Sequence, residues 1–192
     1  MAVEKNLGER IKQIRLSRKI SIEDLAIRTN LGRDLIKKIE EEKIIPSLAP
    51  LIKIARSLGV RLGTFLDDSD QLGPAVVRSG GQEKGVRFVS QGSLTREHLN
   101  FYSLAFDKAG RNMEPFIVEI EPAKPSDYML SSHEGEEFIY VLEGQVEINY
   151  GKDIYLLEPG DSIYMDSVVG HNVHVGNSSP AKILAVLYAP FN

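Results

Sequence analysis

The chain has 192 residues, 42% of them apolar and 26% charged, which is the composition of an ordinary globular protein with room for one large domain or two small ones. It contains no cysteine, so disulfides, thiolate zinc sites and a cysteine nucleophile are excluded, and any metal must be held by nitrogen and oxygen donors. The N-terminal stretch lacks the apolar core of a signal peptide, and no apolar run approaches the roughly 20 residues that span a bilayer, so a cytoplasmic location is expected.

The net charge of −4 conceals a contrast between two parts of the chain. Residues 1–66 hold 14 Lys and Arg against 8 Asp and Glu, a balance of +6, whereas residues 67–192 hold 9 against 19, a balance of −10. Two domains with opposite fields are implied. The basic one favours encounter with a polyanion; the acidic one does not suit a phosphate backbone.

In LGERIKQIRLSRK, Leu7, Ile11, Ile14 and Arg18 recur at helical spacing, which predicts a first helix ending near Lys19. Ser21 followed by Asp24 reads as an N-cap with an acidic first turn, and Ile22, Leu25 and Ala26 give a second helix its buried face. Asn30, Leu31 and Gly32 interrupt it. A third helix is predicted over residues 33–40 with Leu35, Ile36 and Ile39 inward, and Glu40 packing back onto the domain. Pro46 and Ser47 open a fourth, in which Leu48, Leu51, Ile52, Ala55 and Leu58 repeat before Gly59, and Pro50 is tolerated in the first turn. Leu62, Phe65 and Leu66 belong to a last short helix.

This pattern, above all IKQIRLSRKISIEDLA and IEEEKIIPSLAPLIKIARSLGV, resembles the helix-turn-helix domain of the Cro/C1-type, or XRE-type, bacterial regulators. The resemblance implies that the third helix enters the major groove of double-stranded DNA, which brings Arg28, Asn30, Arg33, Asp34, Lys37 and Lys38 to or near the duplex. Arg33 and Lys37 share a helix face and are candidates to donate to guanine, while Arg28 and Lys38 suit phosphate. One departure stands out. Members of that family carry a glycine soon after the acidic end of the recognition helix, and this chain reads EEEKII, with Glu41 and Glu42 there.

Asp67 to Gly85 is rich in Asp, Ser and Gly and holds Pro74, so a linker is expected over residues 68–94, with edge strands around Ala75–Arg78 and in VRFVS. The domains are therefore read as 1–67 and 95–192. From Gly85 on, the period becomes two. Nine short segments, VRFVS, FYSLAF, MEPFIVEIEP, EEFIYVLEG, QVEINYG, DIYLLEPG, DSIYMD, NVHVG and KILAVLYAPF, alternate like strands between Gly, Pro and Asp turns and predict an antiparallel sandwich or barrel.

Two segments carry more than core packing. SSHEGEEFIYVLEG holds His133 and Glu137 at the entry of a strand, and LLEPGDSIYMDSVVGH places Pro159, Gly160 and Asp161 ahead of His171. These resemble the two motifs of the cupin superfamily, which implies a double-stranded β-helix, or jelly-roll, barrel. It also implies Gly144 and Gly160 as turning residues, Asp161 as a turn-fixing one, and His133, Glu137 and His171 as inward-facing ligands. Ser131 stands where the family's leading histidine belongs. Two imidazoles and a carboxylate still form a facial-triad ligand set, suited to one divalent transition metal such as Fe, Mn, Ni or Zn. The alternative use of the same residues is as hydrogen-bond partners of a metal-free ligand. His174 is a further candidate to replace or orient a ligand, and His98 reads as a loop residue.

A helix-turn-helix followed by a cupin resembles a large group of bacterial regulators whose cupin senses a small molecule. The resemblance implies an effector pocket with Tyr102, Ser131, Tyr140, Tyr155, Tyr164 and His174 around the triad. It also implies a homodimer, since paired half-sites need two recognition helices. The same order of domains is similar to the iron-dependent hydroxypropylphosphonate epoxidases, whose GHAGNEF motif is close to SHEGEEF. On that second resemblance Tyr102 and Lys19 would assist an oxygenase reaction.

Overall fold

The computed structural model describes residues 7–44, 46–66, 73–79, 99–108, 110–123 and 130–189. Five helices make up the first part: α1 (Leu7–Ser17), α2 (Ile22–Thr29), α3 (Arg33–Glu40), α4 (Leu48–Ser57) and α5 (Gly63–Leu66). Ser21 caps α2 by accepting from the Asp24 N–H at 2.9 Å, and Asn30 ends it in the left-handed region at φ 51°. Ile11, Leu25, Ile36, Ile39, Leu51, Ile54, Leu58 and Phe65 are fully buried between the helices. Each contributes about 1.5–3 kcal/mol by leaving water.

The inward stripe of α1 differs from the expected one at its end. Arg18 is exposed and the helix has already stopped at Ser17. Arg15, one turn after Ile11, takes the inward position, and its Nε and Nη2 donate to the two carboxylate oxygens of Glu40 at 2.6 and 2.7 Å. Its Nη1 donates to the Ile20 carbonyl at 2.9 Å, so one buried guanidinium ties α1 to the end of α3 and to the α1–α2 turn. The pair raises the Arg15 pKa, chiefly through the hydrogen bond to Glu40. Just past α3, Glu42 has φ 56°, a left-handed backbone that glycine adopts without strain.

Ala75–Arg78 form no strand, contrary to expectation. Val76 is 66% exposed, and the two-valine run finds no ladder partner among the described residues. VRFVS lies outside the described residues, as does His98.

Among the described residues eight strands follow: β1 (Leu99–Ser103), β2 (Met113–Ile120), β3 (Glu136–Glu143), β4 (Val146–Tyr150), β5 (Asp153–Leu157), β6 (Ser162–Asp166), β7 (His171–Val175) and β8 (Ala181–Tyr188). They form two antiparallel sheets, β1-β2-β8-β3-β6 and β5-β4-β7. The first strand is shorter than FYSLAF suggests, because the Ala105 N–H turns back onto the Ser103 hydroxyl.

Register fixes which residues face the interior. On the large sheet the rows Phe101–Val118–Ile183–Val141 and Phe116–Ala185–Ile139 point inward, and Val146, Ile148, Val173 and Val175 of the small sheet join the same apolar core. Gly144 turns β3 into β4 at φ 74°, where a Cβ would stand 2.6 Å from the Pro180 carbonyl oxygen; only glycine fits. The β5–β6 turn is held by Asp161, whose carboxylate accepts from the Glu158 N–H at 2.9 Å.

Candidate metal centre and nucleic-acid face

His133 enters from the loop before β3, Glu137 is the second residue of β3, and His171 opens β7. Backbone bonds hold these three segments together. Ser131 and His171 exchange both N–H···O bonds at 2.9 Å, and the His133 N–H donates to the Ser167 carbonyl at 2.9 Å. Gly135, between the two ligand candidates of the first motif, has φ 105°, and a Cβ there would lie 2.0 Å from the Tyr188 carbonyl oxygen. The loop can pass β8 only as glycine, a constraint the sequence does not announce by itself.

The three side chains converge. Glu137 Oε1 is 2.8 Å from His133 Nε2, Glu137 Oε2 is 3.6 Å from His171 Nε2, and one ligand atom from each residue lies within 4.8 Å of the others. All three residues are buried, and the imidazoles meet edge to face at 5.5 Å. His133 Nδ1 is 3.1 Å from the Glu134 carbonyl and His171 Nδ1 is 2.9 Å from that of Val169, so each Nδ1–H donates outward and each Nε2 faces the Glu137 carboxylate, where it can carry a proton or bind a metal.

Two Nε2 atoms and a carboxylate aimed at one point need a proton or a metal cation among them. Donor atoms about 2.1 Å from a metal ion and cis to one another lie about 3 Å apart, and the two carboxylate–imidazole separations here, 2.8 and 3.6 Å, are near that. The residues therefore fit a divalent transition metal, and the ligand chemistry does not choose among Fe, Mn, Ni and Zn.

The cavity at this cluster has apolar walls from Leu99, Phe101, Val118, Ile139, Ile183 and Ala185, with Ser131 beside the triad. Val173 and Leu187 complete the walls of the β domain, and the start of α4 covers the rest with Ser47, Leu48 and Ala49. Arg56, two turns along the same helix, pairs with Glu134, the residue after His133. The helical domain thus closes the mouth of the β domain, an arrangement that neither periodicity nor motif spacing reveals.

Several expected pocket residues lie elsewhere. Tyr140 is on β3 but of opposite parity to Glu137 and Ile139, and it is 38% exposed on the outer face. Tyr164 pairs with Phe138 on that outer face, donates its hydroxyl to Glu136 and is 65% exposed; the carboxylate raises its pKa. Tyr102 faces outward as well, because β1 pairs Tyr102 with Ile117 while Leu99, Phe101 and Ser103 turn inward; its hydroxyl donates to Glu119 at 3.0 Å. Tyr155 lies on β5, which pairs with β4 alone, and does not border the cavity.

His174 is three residues beyond His171, so it projects from the other face of β7, buried against Asn149 at 2.8 Å and Glu147 at 3.3 Å. Lys19 sits in the α1–α2 turn at φ 56° and does not border the cavity either. Of the expected pocket set, Ser131 alone joins the triad. The residues that sequence reasoning missed, Leu99 and Phe101, were marked by the alternation of LNFYS, which makes Tyr102 the odd member of that strand.

On the helical domain, Arg28, Asn30, Arg33, Asp34, Lys37 and Lys38 are all exposed, while Ile36, Ile39 and Glu40 of α3 are buried. Arg33 Nη1 is 3.0 Å from Glu23 on α2. Glu41 accepts from Lys43 at 2.7 Å and has Lys37 at 3.9 Å. These lysines hold the Glu41 carboxyl below its ordinary value, with the Lys43 hydrogen bond the main cause. The glutamates at the end of α3 are thus divided: Glu40, its last residue, is internal and Glu41, its C-cap, is matched by lysine.

Residues 8–70 match the helix-turn-helix domain family and residues 116–187 match the cupin domain family, so the chain joins these two domain types. It is 23% identical over 180 residues to the HTH-type transcriptional regulator PuuR of Escherichia coli strain K12, covering 93% of this chain and 92% of that protein. It is 27% identical over 151 residues to (S)-2-hydroxypropylphosphonic acid epoxidase of Streptomyces wedmorensis, covering 73% of each. The crystal structure of an HTH_3 family transcriptional regulator from Vibrio cholerae shares the fold, with a TM-score of 0.67 at 20% identity over 96% of this chain and 95% of that one.

Proposed function

We propose that the protein is a sequence-specific DNA-binding transcriptional regulator whose cupin domain senses a small molecule through a metal held by His133, Glu137 and His171. The observation that carries the DNA half is the segregation of α3: Ile36, Ile39 and Glu40 are buried in the helical core, while Arg33, Lys37 and Lys38 are exposed on one basic domain. Similarity to PuuR along nearly the whole chain supports the same reading. In this reading Arg33 and Lys37 read base edges, Arg28 and Lys38 meet phosphate, and Asn30 and Asp34 border the groove. Residues 1–67 and 95–192 are the two functional units, the β domain is a jelly-roll barrel, the protein is a homodimer, and it works in the cytoplasm. No helix among the described residues is long and apolar enough to cross a membrane.

The metal half rests on the convergence of the His133 and His171 Nε2 atoms on the Glu137 carboxylate, with each Nδ1 held outward by a backbone carbonyl. A bound ion would supply a Lewis-acidic attachment point for oxygen atoms of a ligand. The same donors, with the 27% identity to the epoxidase, also suit a non-haem iron oxygenase. Tyr102 and Lys19, the nearest matches to the residues that would assist that reaction, lie away from the cavity, which favours the sensor.

The test is duplex selection with the full chain, followed by affinity measurement on the selected site. Replacing Arg33 and Lys37 together by alanine should weaken binding about 10- to 100-fold or more and reduce its salt dependence. Unchanged affinity and salt slope would refute the assignment of α3.

A further inference from the structure

We infer that the ligand of the His133–Glu137–His171 pocket is a small organic monoanion, a carboxylic acid with an apolar body, and that it binds only by lifting the first turn of α4. This rests on the metal-sensing reading above and goes on to name the ligand's class and the element it must move.

The charge class follows from the donors. A divalent ion with the Glu137 carboxylate leaves one net positive charge in a buried, apolar surround, and a single carboxylate neutralises it. A dianion such as a phosphonate would leave an uncompensated negative charge, and no Lys or Arg borders the cavity among the described residues. An amine would bring a second positive charge into the same space. The α4 end facing the cavity adds to the preference for an anion. Its cap Ser47 makes no side-chain cap bond, and the Leu48 and Ala49 N–H groups have no helical carbonyl to donate to, while Pro50 carries no N–H.

The body class follows from the walls, which beyond Ser47, Ser131 and the triad are aliphatic or phenyl. The size is decided by α4. The cavity holds about 40 Å³, room for about three waters on the measure by which one needs roughly 10–15 Å³. Acetate fills that space; an acid with a longer chain must push against Leu48 and Ala49. Those two residues are buried in the same α4 that contributes Leu51, Ile52 and Ile54 to the helical core. Displacing the turn therefore moves the DNA-binding domain against the β domain, whose other contact with α4 is the Arg56–Glu134 pair.

The experiment uses the full chain loaded with Co(II), whose visible spectrum reports its coordination. It is titrated with glycolate, 2-hydroxybutanoate, 2-hydroxyhexanoate, propylphosphonate and butylamine, while hydrogen exchange is followed in residues 47–58. The expected result is that 2-hydroxyhexanoate perturbs the cobalt spectrum with an affinity at least about tenfold above those of glycolate and propylphosphonate. Butylamine should have no effect, and exchange in 47–58 should rise with the longer acids. If Co(II) binds stoichiometrically but the phosphonate or the amine is preferred, or a long acid binds without altering exchange in α4, the ligand inference falls and the metal site stands. If Co(II) binds no better than to a His133→Ala variant, both fall.

Discussion

The helical domain and the β domain differ in how a one-residue error propagates. On a helix the inward stripe is broad, so mistaking Arg18 for Arg15 leaves every other core residue of α1 in place. On a strand the period is two, and one step of parity moves a side chain from the cavity to the solvent. That is why α3 was legible over residues 33–40 with its buried side intact, while Tyr102, Tyr140 and Tyr164 were assigned to a pocket they turn away from. Aromatic identity suggested ligand contact; register decides it.

The largest expected effect tests the helical half. Arg15→Ala should remove about 3–5 kcal/mol, because Glu40 is left as a buried carboxylate without its guanidinium. Denaturant unfolding followed by far-UV circular dichroism measures it. A loss below about 1 kcal/mol would mean that Glu40 finds another partner and that the α1–α3 tie is weaker than the geometry implies.

Neighbouring residues of β3 sharpen the parity contrast. Ile139→Ala should cost about 2–5 kcal/mol by opening a core cavity, whereas Tyr140→Ala should cost under about 1 kcal/mol and leave metal content unchanged. Equal costs, or metal loss in the Tyr140 variant alone, would reverse the assigned facing of the strand.

A smaller effect, of opposite sign, is expected at Glu42. Glycine there relieves the left-handed backbone, so Glu42→Gly should stabilise the helical domain by about 1 kcal/mol, read as a rise in melting temperature. The EEEKII departure is then a substitution in side chain only, with the backbone turn retained. No gain would show that the Glu42 side chain offsets its own strain.

The sequence made the two domain types, the five helices and eight of the nine expected strand segments readable, because turns and periodicity are local signals. It also brought forward His133, Glu137 and His171, since motif spacing survives even with Ser131 in place of a histidine. The roof over the triad was not readable. Ser47, Leu48 and Ala49 look like an ordinary helix start, and their approach to the cavity depends on how two domains pack rather than on any pattern in either. His174 was misplaced for the simpler reason that three residues along a strand is an odd step.

The central claim is that His133, Glu137 and His171, beneath the turn of α4 that roofs them, hold a metal. The most direct measurement is elemental analysis of the full chain purified without affinity tag or chelator, beside His133→Ala and Glu137→Ala variants. About one transition-metal ion per chain, lost in both variants, is the predicted result. Wild-type protein with no metal, also after incubation with Fe(II), Mn(II), Ni(II) or Zn(II), would contradict it.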